Sequence, residues 1–256
     1  LGFLFVFFPL QDAANYSLTE FYLIESFSFY LFAFALGAKG RFGPAVLFAL
    51  LGSFSSYGSP PIAIGLAVLA YIGGRPKLAL ALWVPNFVYI VYYLTTSLVL
   101  KIGTPRLIGD MSIVALAKEF LLEIVTFIDA SVGPSAWAKF FYSIASLELA
   151  GFVVAIVAAA LAIVYIGRMP RQAATKSLIV AAGIIVFLSF GMFSLTGLYP
   201  QIAFNLGDRV MIYGSFLIVC VMASVRIPKT VEAAFLVVAM LAIVGISTHW
   251  KQWNDD

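Results

Sequence analysis

Eight apolar runs recur along the chain, at 21–38, 42–57, 61–74, 78–100, 147–167, 177–195, 209–225 and 230–247. This recurrence constrains the fold more than any other feature. A helix rises about 1.5 Å per residue, so roughly 20 apolar residues cross the hydrocarbon layer of a bilayer. Only 11% of the 256 residues are charged and 63% are hydrophobic, whereas soluble domains are about 25% charged and about 45–50% apolar. A water-soluble globule cannot hide that much apolar surface. The expected fold is an all-α integral membrane protein, a polytopic bundle of about eight transmembrane helices plus one interfacial amphipathic helix. It is read as a single transmembrane domain over residues 1–256. Residues 1–10 are apolar but too short to span. They carry neither a basic leading segment nor a small-residue cleavage site, so they read as the end of a truncated earlier span.

The few charges orient the bundle. Lys39/Arg41, Arg75/Lys77, Arg168/Arg171/Lys176 and Arg226/Lys229 fall in alternate connections and make up nine of the fifteen basic residues. Eleven of the twelve acids fall on the opposite side, Glu232 being the exception. Basic connections stay in the cytoplasm. The basic turns are therefore expected inside and the acidic segments outside. The inner connections are only a few residues long, which excludes a soluble catalytic domain there. Gly73-Gly74-Arg75 lacks the strand, the spacing and the Lys-Ser/Thr of a phosphate-binding loop.

Two regions break the simple pattern. The runs at 42–57 and 61–74 are short and meet at Ser59-Pro60-Pro61, a strong turn signal. They read either as two tilted helices or as a hairpin that does not fully cross. In the outer segment 101–146, the spacing predicts a helix over about 110–129. Ile113, Leu116, Phe120, Ile124 and Phe127 gather on one face, with Lys118, Glu119, Glu123 and Asp129 on the other. That pattern suits a helix lying in the interface. Gly133-Pro134 ends it, and Trp137, Phe140, Phe141 and Tyr142 follow as an aromatic belt. Gly151, Ala155, Ala158 and Ala159 mark a close helix-packing face.

Candidate chemistry is confined to a handful of residues. Glu25 lies about one turn inside the first complete span. An acid in lipid faces the bundle interior or a wet cavity unless it snorkels to the interface. Glu148, at the outward start of the fifth long run, poses the same choice. Asp208-Arg209 opens the seventh span on the outer face, where a guanidinium can clamp a phosphate or carboxylate, or anchor to headgroups or to Asp208 itself. Arg106 is a second outer cation. Asn86 follows Pro85 inside the fourth run, where proline frees a carbonyl and kinks a helix. Neither a cofactor nor a metal is expected, because Cys220 is the one cysteine and His249 the one histidine.

The many spans, the outer amphipathic helix and the late segment Tyr199-Pro200 to Asp208-Arg209 together resemble the polytopic GT-C-type glycosyltransferases of bacterial envelopes, over most of the chain. The resemblance implies sugar transfer from a lipid-phosphate-linked donor at the outer face of a bacterial inner membrane, in cell-surface polysaccharide synthesis or modification. Glu25, Glu148 and Asp208 are then the candidate catalytic carboxylates, and Arg209, Arg106 and Tyr199 the substrate-binding residues. The implied partners are the lipid bilayer and a polyprenyl-phosphate-linked sugar, and not nucleic acid. That family usually carries its catalytic acid in its first outer loop, which here lies upstream of Leu1 or is reduced to Asp12. A transporter or flippase and a non-catalytic membrane subunit are the alternative functions. Against transport stand the lack of an internal repeat and of an acid chain through the bundle.

Overall fold

The computed structural model describes residues 21–102, 112–168, 176–196, 211–224 and 228–255. Its elements are helical, in the order α1 (Phe21–Ala38), α2 (Phe42–Ser55), α3 (Ser59–Ile72), α4 (Pro76–Leu94), α5 (Ile113–Val132), α6 (Pro134–Ala145), α7 (Leu149–Arg168), α8 (Lys176–Thr196), α9 (Met211–Ser224) and α10 (Lys229–Asp255). A π-turn over Thr95–Val99 prolongs α4. Among the described residues three helices are long and apolar enough to cross a membrane, Pro76–Val99, Lys176–Leu195 and Lys229–Thr248. Pro134–Ala145 and Leu149–Tyr165, bent by 115° at their junction, make a fourth if they are one broken span. The helices α1, α2, α3 and α9 are apolar but shorter.

The helix boundaries follow local chemistry. Proline stands in the first turn of α3, α4 and α6, where its fixed φ suits a helix and its missing N–H is not needed. Ser112 caps α5 by accepting a hydrogen bond from the Ala115 N–H at 3.2 Å. The turns after α1 and α3 repeat one another. In the first, Gly40 N–H bonds to Gly37 O and Arg41 N–H to Leu36 O. In the second, Gly74 N–H bonds to Tyr71 O and Arg75 N–H to Ala70 O. Both are Schellman caps, and their glycines sit at φ of +78° and +71°, a conformation that costs other residues energy. Each places an arginine directly after its glycine.

The two turns also touch. Arg75 Nη1 donates to Ala38 O at 3.0 Å, and a Cβ on Gly37 would strike Leu78. The packing then orders the remaining helices. Gly65 of α3 lies against Ala181 and Ile185 of α8, while Tyr57 meets Phe193 near the far end of α8, with ring centroids 6.2 Å apart. The helices α3 and α8 are thus antiparallel, and Lys176 starts α8 at the end that holds Lys39, Arg41, Arg75 and Lys77. At the opposite level Tyr213 of α9 donates to Gly58 O at 2.8 Å, so α9 runs back toward the basic end. The chain folds as a main bundle with one core, formed by α1–α4, α8 and α9 with α5 against its side. A second, smaller cluster joins α7 to α10 through Ala155, Ala159, Ala162 and Met240. This bears out the small-residue packing face read from the sequence.

The α2–α3 connection is a hairpin whose tip, Ser56-Tyr57-Gly58, is enclosed by its neighbours. Each arm has 14 residues, about 21 Å at the helical rise. The tip region meets α4 at Asn86, eleven residues into a helix that continues to Leu94 and its π-turn. The hairpin therefore reaches only partway along α4. Parity of the basic connections does not distinguish this from two full crossings, because either way both ends of the pair lie on one side.

Candidate functional site

The most polar part of the described core is built around this hairpin tip. A 14-residue helix ends with unpaired carbonyls, and buried polar groups must find partners. Here other helices supply them. Ser26 of α1 donates to Gly52 O at 2.7 Å. Ser53 donates to Ala49 O at 2.7 Å, which commits its single proton. The Tyr30 hydroxyl, 2.7 Å from Ser53 Oγ, is then the donor of that contact. Ser59 at the start of α3 donates to Ser53 O at 3.2 Å and accepts from Asn86 Nδ2 at 2.9 Å. The Tyr22 hydroxyl donates to the Tyr57 hydroxyl at 3.1 Å.

Ser26, Tyr30, Ser53, Ser59 and Asn86 have essentially no exposed surface. Asn86 Oδ1 accepts no hydrogen bond, so the cluster retains one unused acceptor inside the bundle. Aromatic rings enclose it, with Tyr57, Phe193, Tyr213 and Phe27 in successive contact at centroid distances of 6.0–6.2 Å. No single run of sequence carries this site. The Pro85-Asn86 pair, the serines near residues 53–59 and Tyr30 are the only local signals.

A buried acid is the second feature. Glu123 of α5 is 4% exposed, and Lys139 and Ser143 of α6 are buried nearby in the chain. Phe127 and Phe120, four residues after and three residues before Glu123, share its side of the helix. They pack on the rings of Phe190 and Phe187 of α8. Phe127 also closes on Gly214 of α9, and Ala130 buries against Met211. Leu121, Leu122, Val125, Ile128 and Val132 are exposed. This corrects the placement of Glu123 on the polar face: Lys118 is exposed as expected, but Glu123 is buried. The helix α5 turns Glu123 toward the protein and much of its aliphatic surface outward. The sequence reading sorted Glu123 by its charge, although its spacing from Phe120 and Phe127 puts it beside the packed face. Asp129 is used locally: its Oδ1 accepts from the Ser135 N–H at 3.3 Å and caps α6.

The residues singled out from the sequence are not gathered into one constellation. Glu25 is half-buried on α1. Glu148 is exposed, and its carbonyl accepts the Phe152 N–H at 2.9 Å as α7 begins. Asp208, Arg209, Arg106 and Tyr199 lie outside the described residues. Met211, two residues after Arg209 in the chain, packs on the α5 end that carries Ala130. Among the described residues no group of three or more His, Cys, Asp or Glu is arranged to hold a metal ion.

The fold and this core define a helical bundle with several helices of membrane-crossing length and a polar cluster at an internal hairpin tip. No family model, curated protein or solved structure matches the chain.

Proposed function

We propose that the chain is a multi-pass membrane protein that transfers sugar from a lipid-phosphate-linked donor at the end of the bundle opposite its basic turns. In this reading eight helices lie in the bilayer. The helices α1, α4, α7, α8, α9 and α10 cross it, and α2–α3 enters and returns from the basic, cytoplasmic side. The resemblance to envelope glycosyltransferases implies a bacterial inner membrane.

The observation that supports this most is the buried carboxylate of Glu123 in a helix whose opposite side is aliphatic and exposed. A carboxylate buried in a packed helix face has a fixed position, which a general base requires. Glu123 stands between Phe120 and Phe127, which pack on α8, on the helix whose far end meets Met211, two residues after Arg209. A lipid-borne donor needs a cation for its phosphate and a carboxylate to take the acceptor's proton. Arg209 is assigned the phosphate, with Arg106 and Tyr199 assisting. Glu123 joins Glu25, Glu148 and Asp208 as a candidate base. The test is Arg209→Ala expressed in the native host, with cell-surface glycan and membrane insertion measured together. Loss of glycan modification with normal insertion is expected, and unchanged glycan contradicts the reading.

A transporter or flippase is the second reading. It draws on the hairpin tip, since non-helical backbone and polar side chains inside a bundle are a recurrent device of transporters. Solute uptake by the purified protein in liposomes lacking any lipid-linked sugar would favour it.

A further inference from the structure

The twin turns at the basic end have no part in sugar transfer, and their construction suits another ligand. Lys39, Arg41, Arg75 and Lys77 are all exposed, and no acid lies within residues 36–80. The position after a Schellman glycine is commonly apolar and packs back on the helix. In both turns it is instead arginine. The left-handed glycines fix the backbone on which each arginine stands. The bond from Arg75 Nη1 to Ala38 O ties one turn to the other and leaves most guanidinium donors of both arginines available. Directly beneath this cationic end the exposed side chains are apolar, Phe42 and Tyr71 among them. Fixed cations above an apolar collar complement an amphiphile that carries negative charge on its head and hydrocarbon below it.

We propose that the paired Gly-Arg turns bind the phosphate headgroup of an anionic phospholipid, whose acyl chains lie against the exposed apolar surface of α2 and α4, Val46, Leu47 and Leu51 on one and Leu80, Val84 and Val88 on the other. Arg41 and Arg75 supply planar N–H pairs for phosphate oxygens, and Lys39 and Lys77 add charge. This rests on the membrane reading above and is independent of the sugar chemistry.

The full chain is reconstituted in nanodiscs of phosphatidylcholine with phosphatidylglycerol, and the lipids retained after gentle extraction are counted by native mass spectrometry. Preferential retention of phosphatidylglycerol is expected. Each cation near an anionic surface contributes about fivefold, so Arg41→Gln with Arg75→Gln should lower the preference by about 25-fold. Lys39→Gln with Lys77→Gln leaves the Arg75–Ala38 bond intact and should also lower it, which separates lost binding from a disturbed turn. Equal retention of both lipids by the unaltered protein overturns the proposal. So does an unchanged preference in both double variants, or displacement of the lipid by millimolar inorganic phosphate, which would make the site one for free phosphate. A chain that stays soluble without detergent and does not enter nanodiscs overturns the membrane reading, and this proposal falls with it.

Discussion

The main bundle and the α7–α10 pair solve the same packing problem by opposite means. The bundle buries large rings among smaller side chains, with Phe27, Tyr30, Phe190, Phe193 and Tyr213 all inside. Hydroxyls and one amide cross between helices at the hairpin tip. In the cluster that joins the pair the buried residues are three alanines and one methionine, and most of the α7 surface is exposed aliphatic side chain. Lipid is as apolar as leucine, so helices in it gain little from hiding hydrocarbon. They associate through close contact and interhelical hydrogen bonds. The bundle uses interlocked rings and directed hydrogen bonds, which fix one register around a non-helical tip. The pair uses close approach of small residues along a smooth seam.

Reciprocal substitutions break this contrast most sharply. Phe27 is in ring contact with both Tyr213 and Phe216, so Phe27→Ala should cost about 3–5 kcal/mol through the cavity it leaves. In the pair the damaging change runs the other way. Ala159 is fully buried on the seam, and Ala159→Leu should cost about 1–3 kcal/mol through overpacking. Reversible unfolding in detergent measures both. If Phe27→Ala proves milder than Ala159→Leu, the ring-packed core is not what holds the bundle.

The smallest effect belongs to the polar cluster. Ser59→Ala removes the acceptor of Asn86 Nδ2 and one donor to Ser53 O, and should destabilise by about 1 kcal/mol. Combined with Asn86→Ala, the loss should be less than the sum of the single changes, because the two residues share one bond. Strict additivity in that cycle would remove the cluster as a latch for the hairpin.

Much of the helix layout was legible in the sequence. The run at 21–38 coincides with α1, and 177–195 falls within one residue of α8 at each end. Long apolar stretches bounded by glycine, proline or charge leave the backbone little choice in lipid. Gly133-Pro134 marked the true end of α5. The aromatic segment after it was read only as a belt, yet it forms the separate helix α6, whose burial of Lys139 and Ser143 depends on neighbours distant in sequence. The depth of the α2–α3 hairpin was hidden because basic-turn parity is the same for a hairpin and for two crossings. The polar cluster is hidden in the sequence because Tyr30, Ser53, Ser59 and Asn86 come from four helices, and no local signal joins them. The burial of Glu123 is legible in its spacing from Phe120 and Phe127 and not in its charge. Of the residues that the sequence singles out for chemistry, Glu25 lies on α1 and Glu148 immediately precedes α7.

The central claim is that the basic turns share one face of the membrane and the acidic segments the other. Single cysteines placed in a Cys220→Ala background test it directly, at Lys39, Lys77 and Lys176 on one side and at Lys101 and Glu148 on the other. A membrane-impermeant maleimide is applied to intact cells and, separately, to inverted vesicles. The expected result is labelling of the Lys101 and Glu148 positions only from outside, and of the three basic-turn positions only in the inverted vesicles. Labelling of Glu148→Cys and Lys39→Cys from the same side would contradict the orientation and the function built on it.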